Sequence, residues 1–251
     1  MLAPPGTLER RYAMALALRA LKPGGLLTVL AHKKKGGSRL RGELEGFGCL
    51  LREDSQQHFR ICEASRPENP VTETALKDGG PQQIESIWTQ PGVFSWDALD
   101  PGSLLLLRHL PKLAGRGADL GCGIGVLAMH ALASTDIREI ILADTDRRAI
   151  SAAKRNIPDP RATFLWQDVR TLALKGLDFI LMNPPFHDSG DEDHGLGQAF
   201  LRQASAMLRP GGSCWITANR HLPYEATLAQ HFKQARMLAQ ESGYKIYEAT
   251  A

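Results

Sequence analysis

The stretch "ILMNPPFHDSG", residues 180–190, is an apolar run that ends in an amide, two prolines and an aromatic ring. Each proline fixes its own φ and removes a backbone N–H, and the residue before a proline is pushed away from helical geometry. The chain therefore leaves this strand as a stiff, donor-poor corner that carries the Asn183 amide and the Phe186 ring. Acceptors held this way stay unpaired with a sheet and can fix a donor in one orientation. That is preorganisation rather than acid–base work. A strand that merely ends in a Pro-Pro turn reads the same, so the neighbouring motifs decide.

"ADLGCGIGVLA", 118–128, reads as a short strand, a glycine-rich turn and the start of a helix. Gly121, Gly123 and Gly125 let the backbone pass close to a ligand that meets the helix N-terminus. The spacing is G-x-G-x-G, and the third glycine of a dinucleotide fingerprint would fall at Val126. This favours an adenosyl ligand without a pyrophosphate. Nineteen residues after Gly125, "EIILADTD" ends a strand in Asp144, a carboxylate able to accept both hydroxyls of a ribose. Alone it reads as a helix cap; in register with the glycine loop it reads as a ligand contact. "FLWQDV" supplies Asp168 at the next strand end, where an acceptor can take an adenine amino group. A glycine turn, a ribose carboxylate and an adenine acceptor on three strand ends point to S-adenosylmethionine.

His187, after the corner, is read either as a proton relay or base-edge contact or as merely exposed. The acidic loop "HDSGDEDH", 187–194, lacks ligand spacing, so no metal is expected and a mobile lid is the preferred reading.

These motifs need a scaffold. Strand-like stretches lie near 84–89, 117–120, 138–143, 162–166, 177–182, 213–218 and 244–249, with helical patterns near 101–110, 124–133, 146–156, 195–208 and 223–233. The alternation implies an α/β fold with a mostly parallel, doubly wound sheet whose last strands turn back as a hairpin. Ligands then belong at the carboxyl ends of the strands, where the motifs fall.

The chain also repeats itself. "ALRALKPGGLLTVLAHKK" at 17–34 aligns with "ASAMLRPGGSCWITANRH" at 204–221, and "HFRICEAS" at 58–65 with "GYKIYEAT" at 243–250. Residues 1–66 are therefore expected to be the C-terminal half of a duplicated domain, either natively shortened or with its true start upstream. Residues 67–83 read as a linker rich in Pro, Gly and Thr, and 84–251 as the complete domain.

Bulk properties set limits. The 43% apolar and 23% charged fractions are those of a globular protein, and the longest apolar runs are far short of the roughly 20 residues a membrane span needs. The N-terminus does not read as a secretory signal. Cys49, Cys62, Cys122 and Cys214 are scattered, which fits a reducing cytoplasm. The net charge of +3 is uneven: residues 1–66 hold twelve Lys/Arg against six Asp/Glu. Their focus, "HKKKGGSRLR" at 32–41, is either a solvated face or a phosphate-contacting patch.

"DLGCGIG", Asp144, Asp168 and "NPPF" resemble class I S-adenosylmethionine-dependent methyltransferases of the exocyclic-amine type. "PGVFSWDALDPGSLLLL" at 91–107, "NPPFHD" at 183–188 and "ANRHLPY" at 218–224 resemble, more narrowly, the bacterial ribosomal RNA guanine-N2 methyltransferases. That family has two tandem copies of the fold, the first degenerate. The resemblance covers the whole chain, apart from the missing front half of the first copy and His221, where the family more often carries an apolar residue. It implies a Rossmann-like catalytic domain preceded by a partial copy of itself, with Asp119, Gly121, Cys122, Gly123, Gly125, Asp144 and Asp168 on the cofactor. It further implies that Asn183 and the Pro184 carbonyl accept hydrogen bonds from the target amine, that Pro185 stiffens the corner, and that Phe186 stacks on a flipped base. Phe94 and His187 fall on the substrate side, and Lys33, Lys34, Lys35, Arg39 and Arg41 on the RNA. The implied partner is ribosomal RNA or a ribosomal subunit, with self-association through the partial domain. Adenine amines, protein glutamine amides and a non-catalytic RNA-binding module remain the alternatives.

Overall fold

Apolar runs ending at Leu120, Asp144 and Met182 are covered on both faces and form the parallel centre of a sheet, and the run ending at Trp166, partly exposed, forms its parallel edge. In the computed structural model these are β6 (Gly115–Leu120), β7 (Ile137–Asp144), β8 (Ala162–Trp166) and β9 (Leu177–Met182). Before them come α1 (Thr7–Ala20), β1 (Leu26–His32), α2 (Leu40–Gly46), β2 (Leu50–Gln56), β3 (Phe59–Ser65), α3 (Glu73–Gly79), β4 (Gln82–Ile84), β5 (Ile87–Thr89) and α4 (Pro101–His109). Helices α5 (Val126–Ala131) and α6 (Arg147–Asn156) separate β6, β7 and β8. After β9 follow β10 (His187–Asp188), β11 (Asp191–Glu192), α7 (His194–Met207), β12 (Leu208–Asn219), α8 (Glu225–His231), β13 (Gln234–Glu241) and β14 (Tyr244–Thr250). The structure describes residues 1–185, 187–188, 191–192 and 194–251, with only the backbone of 187–188, 191–192 and His194. Among the described residues no helix is long and apolar enough to cross a membrane.

The chain divides into two units, Met1–Gln83 with Gln90–Gly92, and Ile84–Thr89 with Val93–Ala251. The larger holds a seven-stranded sheet in the order β13-β14-β12-β9-β6-β7-β8. Its pairs are parallel from β12 through β9, β6 and β7 to β8, and antiparallel where β14 joins β12 and β13. One face packs α7 and α8 through Leu201, Ala204 and Leu228 onto Leu120, Ile180 and Ile216. The other packs α4, α5 and α6 through Leu106, Ala128 and Ala153 onto Leu142, Leu181 and Trp215. β7 and β8 lie to one side of β6, and β9 and β12 to the other. The switch point therefore falls between β6 and β9, and the crevice at their carboxyl ends is where such sheets take ligands.

The smaller unit has a sheet in the order β1-β3-β2, antiparallel throughout, closed by α1 and α2 over Met14, Leu18, Val29, Leu44 and Cys62. Its elements coincide with the end of the larger unit. Shifting α1 by 187 residues gives the bounds of α7, and shifting α2 and β3 by 185 gives those of α8 and β14. The strand registers coincide too: Leu26 faces Ser65 as Ser213 faces Thr250, and His32 faces Phe59 as Asn219 faces Tyr244. Both hairpins close on two residues of positive φ, Gln57 and His58 in one, Ser242 and Gly243 in the other. This is the turn that matches strand twist.

The interiors differ. Arg10 of α1 is fully buried and grips Glu43 of α2 through Nε (2.8 Å) and Nη2 (2.7 Å); its Nη1 donates to the Pro5 carbonyl at 2.7 Å. The shifted positions in the larger unit are Gly197 and Leu228. Two expectations change. The stretch 67–83 is not a bare linker: α3 lies in it, tied to α1 by Arg19 donating to Thr72 Oγ1 (3.1 Å) and Glu73 Oε1 (2.8 Å). The helical pattern of 223–233 stops at His231, and β13 follows as an edge strand that the sequence reading missed.

Candidate active site

β6 ends at Leu120, and the chain turns at once into the glycine loop. Gly121 and Cys122 both donate to the Ala143 carbonyl, at 2.9 and 3.1 Å, which pins the loop to the end of β7. Gly123 has φ +52° with nothing within 4 Å of where a Cβ would stand, so bare backbone faces open space there. Gly125 has φ +90°, and a Cβ on it would come within 2.8 Å of Ile157 Cδ1. The loop's glycines thus answer both to conformation and to the packing of α6.

Asp144, half-buried at the end of β7, accepts the Gly123 N–H on Oδ2 (2.9 Å) and the Asp146 N–H on Oδ1 (2.8 Å). Burial raises its pKa, while these backbone donors hold it down. Each oxygen of an ionised carboxylate keeps further acceptor capacity, enough for two hydroxyls. Asp119 is buried; its Oδ2 accepts the Ala128 N–H at 3.2 Å, and its Oδ1 has no hydrogen-bond partner among the described residues. Burial pushes its pKa up to about 7. An acid so raised favours the folded chain at low pH, and that contribution is lost as pH rises toward 7.

One cavity of about 320 Å³ joins these parts to the Asn183 corner. Val93, Phe94, Gly121, Gly123, Asp144, Thr145, Asp146, Asn183, Pro184, Pro185 and Phe200 line it, among others. Beside it a recess of about 40 Å³ brings Asp119 and Cys122 together with Asp100, Ser103 and Asn183. The Asn183 Nδ2 points inward, donating to Asp100 Oδ2 (2.9 Å) and Ser103 Oγ (3.0 Å).

Most of the expected residues therefore converge: Asp119, Gly121, Cys122, Gly123, Asp144, Asn183, Pro184, Pro185 and Phe94, the last 56% exposed at the cavity wall. Gly125 lies behind the wall as the N-cap of α5. Asp168 does not line the cavity. It caps the following turn through the Arg170 N–H (2.8 Å) and grips the Arg170 guanidinium, which lowers its pKa. Its neighbour Val169 takes the place at the wall. Phe186 lies outside the described residues, as do Ser189, Gly190 and Asp193 of the expected lid, and His187 is described only where its backbone pairs with that of Glu192. In the smaller unit Lys33 and Lys34 are exposed on a 3₁₀ turn. Arg39 donates to Thr7 Oγ1 (3.0 Å), and Arg41 pairs with Glu45 (2.9 Å).

The sequence reading missed Asp100, Ser103, Thr145, Asp146 and Phe200. Asp100 had a signal: it stands before Pro-Gly-Ser and caps α4, with Pro101 in the first turn. A wider groove of about 910 Å³ runs along α8, β13 and β14. Along it Arg236 pairs with Glu248, and Glu225 accepts from Tyr247 and from Lys245, each at 2.6 Å.

Residues 85–248 match the family described as the Methyltransferase small domain. The Ribosomal RNA small subunit methyltransferase C of Shewanella loihica is 34% identical over 246 residues, covering 94% of this chain and 72% of that protein. The protein of the same name from Pseudomonas syringae is 32% identical over 242 residues, covering 93% and 73%. Among solved structures, the Thermus thermophilus 16S rRNA N2 G1207 methyltransferase (RsmC), in complex with AdoMet and guanosine, superposes with a TM-score of 0.82 at 27% identity, covering 99% of this chain and 71% of that one. The cavity geometry and these likenesses lead to one conclusion: the chain belongs to the RsmC-like class I methyltransferases, with a Methyltransferase small domain as its larger unit.

Proposed function

We propose that this chain transfers a methyl group from S-adenosylmethionine to the exocyclic amine of a guanine in ribosomal RNA. The observation that carries this reading is the single cavity in which Asp144 and the glycine loop stand beside the Asn183 corner. The residues suit the cofactor. Gly123 leaves room for a ligand against backbone, Asp144 has acceptor capacity for a ribose, and the unpartnered Asp119 Oδ1 sits by the adjoining recess, where a cationic group would compensate it. When bound, S-adenosylmethionine supplies an electrophilic methyl group.

The rest of the chemistry belongs to the chain. A guanine amine is a weak nucleophile because its lone pair is conjugated into the ring. In this reading the Asn183 Oδ1 and the Pro184 carbonyl accept the two amine hydrogens and draw them out of the ring plane, which takes the lone pair out of conjugation. The prolines hold the backbone of the corner still, so little backbone reorganisation is needed as positive charge develops on the nitrogen. Phe94 at the wall and the expected Phe186 flank a base extruded from its stack. Asp168 would take the adenine amino group only by exchanging it for Arg170, whose N–H groups now occupy both of its oxygens.

The purified chain, incubated with methyl-labelled S-adenosylmethionine and deproteinised small-subunit ribosomal RNA, is expected to yield labelled N2-methylguanosine after digestion to nucleosides. Labelled N6-methyladenosine in its place, or label only on protein, overturns the guanine reading.

The finer parts concern the smaller unit. Residues 1–66 are read as a partial, degenerate copy of the fold, because their helix bounds and strand registers coincide with those at the end of the larger unit. Lys33, Lys34, Lys35 and Arg39 supply RNA affinity through phosphates. Neutralising Lys33, Lys34 and Arg39 together is expected to reduce the slope of log K against log salt by about 2 to 3. An unchanged slope removes the patch from the RNA-binding surface. The proposed partner is ribosomal RNA, free or within a ribosomal subunit. Exposed Leu26 and Leu50 on the sheet of this unit support self-association there, which the mass in solution tests.

A further inference from the structure

Asn183 stands on a cavity wall with a side chain whose two ends are nearly alike in shape and opposite in hydrogen-bonding sense. Only one orientation serves the proposed chemistry, the one with Oδ1 toward the substrate. Pro184 and Pro185 stiffen the backbone there, but they do nothing to stop the carboxamide from turning over. Two side chains from a helix eighty residues earlier in the chain meet its nitrogen: Asp100 Oδ2 at 2.9 Å and Ser103 Oγ at 3.0 Å.

The two partners are not equivalent. A hydroxyl can donate or accept, so Ser103 would tolerate either end of the amide. A carboxylate can only accept. Turning the amide over would put the Asn183 oxygen 2.9 Å from the Asp100 oxygen with no proton between them, setting two acceptors against each other. Asp100 is therefore the group that discriminates. The charge assistance also works in the useful direction. A carboxylate drawing on an Nδ2 proton increases the negative charge on the amide oxygen, which strengthens it as an acceptor.

Asp100 is itself held from three directions. Its Oδ2 also accepts the Ser103 N–H at 2.6 Å, the N-cap bond of α4, and its Oδ1 accepts the Tyr244 hydroxyl at 3.3 Å. Gly102 brings the first turn of α4 hard against the sheet. A Cβ there would stand 2.4 Å from Tyr244 Cδ1 and 2.9 Å from Thr217 Oγ1, so any larger residue would lift the helix off β12 and β14. The start of α4, the end of β9 and the start of β14 thus meet at one carboxylate.

We propose that Asp100, assisted by Ser103, is a positioning residue: it locks the Asn183 carboxamide with Nδ2 inward and Oδ1 toward the substrate amine. It lines the recess beside Asp119 and acts on the target amine through Asn183. The inference rests on the reading of Asn183 as the amine acceptor.

The test compares Asp100→Ser with Asp100→Asn in the full chain, using S-adenosylmethionine and deproteinised small-subunit ribosomal RNA. Serine still caps α4 but is too short to reach the Asn183 nitrogen. Asparagine can cap the helix and present an oxygen to that nitrogen. Asp100→Ser is expected to lower kcat about 10- to 100-fold with the KM for RNA and the Kd for S-adenosylmethionine little changed, and Asp100→Asn to recover most of that loss. In the amide region of a ¹⁵N spectrum, the Asn183 Nδ2 proton signals should be resolved and slow to exchange in wild type and Asp100→Asn, and averaged in Asp100→Ser. Full kcat in Asp100→Ser overturns the lock. So does an Asp100→Asn variant as impaired as Asp100→Ser, or an Asp100→Ser variant whose cofactor binding weakens as far as its turnover. Asn183→Ala separates the two levels. If it is inactive while Asp100→Ser is not, the lock alone fails; if Asn183→Ala keeps wild-type turnover, the reading of the corner fails first.

Discussion

Replacing Asn183 with alanine is expected to lower methyl transfer by about 10²- to 10³-fold while leaving S-adenosylmethionine affinity within a factor of about three. The size follows from what one preorganised polar group contributes at a centre where charge develops. The target nitrogen is neutral before reaction and cationic after it, so an acceptor on its hydrogen gains strength along the reaction coordinate. That selective gain belongs in kcat. Truncation also strips Asp100 Oδ2 and Ser103 Oγ of the donor they share. Asp100 keeps its cap and its Tyr244 bond, however, so the cavity wall should stand. Single-turnover transfer of labelled methyl, alongside calorimetric titration of the cofactor, separates the two quantities. A loss below tenfold, or an equal loss of cofactor affinity, would remove Asn183 from the chemistry.

Asp144→Ala should weaken S-adenosylmethionine binding by about 10²-fold or more. Hydrogen bonds to a charged group contribute about 1.5 to 3 kcal/mol each, and this carboxylate has acceptor capacity for two hydroxyls. It also organises the loop, since Oδ2 takes the Gly123 N–H and Oδ1 the Asp146 N–H. Asp144→Asn keeps one acceptor and should fall between alanine and wild type. Titration calorimetry reads all three affinities. Binding by Asp144→Ala within threefold of wild type would place the ribose elsewhere.

Both sites lie on strand ends that the sequence announces. Short continuous apolar runs with an abrupt polar stop and flanking turn residues read as parallel strands covered on two faces, so Leu120, Asp144 and Met182 and the motifs behind them are legible from local pattern. β13 is not, because an edge strand with both faces largely in water keeps no apolar alternation. "QARMLAQE" becomes a strand because β14 offers it an unpaired edge. Helix α3 hides for a related reason: at seven residues it is too short to show a period and is held by Arg19 of α1.

The sequence by itself determined the alternating fold, the glycine loop, Asp144, the rigidity of the Asn183 corner and the repeat that relates 1–66 to the end of the chain. Each rests on covalent restriction or short-range spacing, which a linear pattern records. Only the tertiary structure decided which way the Asn183 amide faces, since that depends on a carboxylate 83 residues away. It also decided that Asp168 turns to Arg170 rather than to the cavity wall, and that Arg10 and Glu43 fill the interior of the smaller unit. These outcomes turn on which polar group reaches which partner in space, and sequence separation carries no record of that distance.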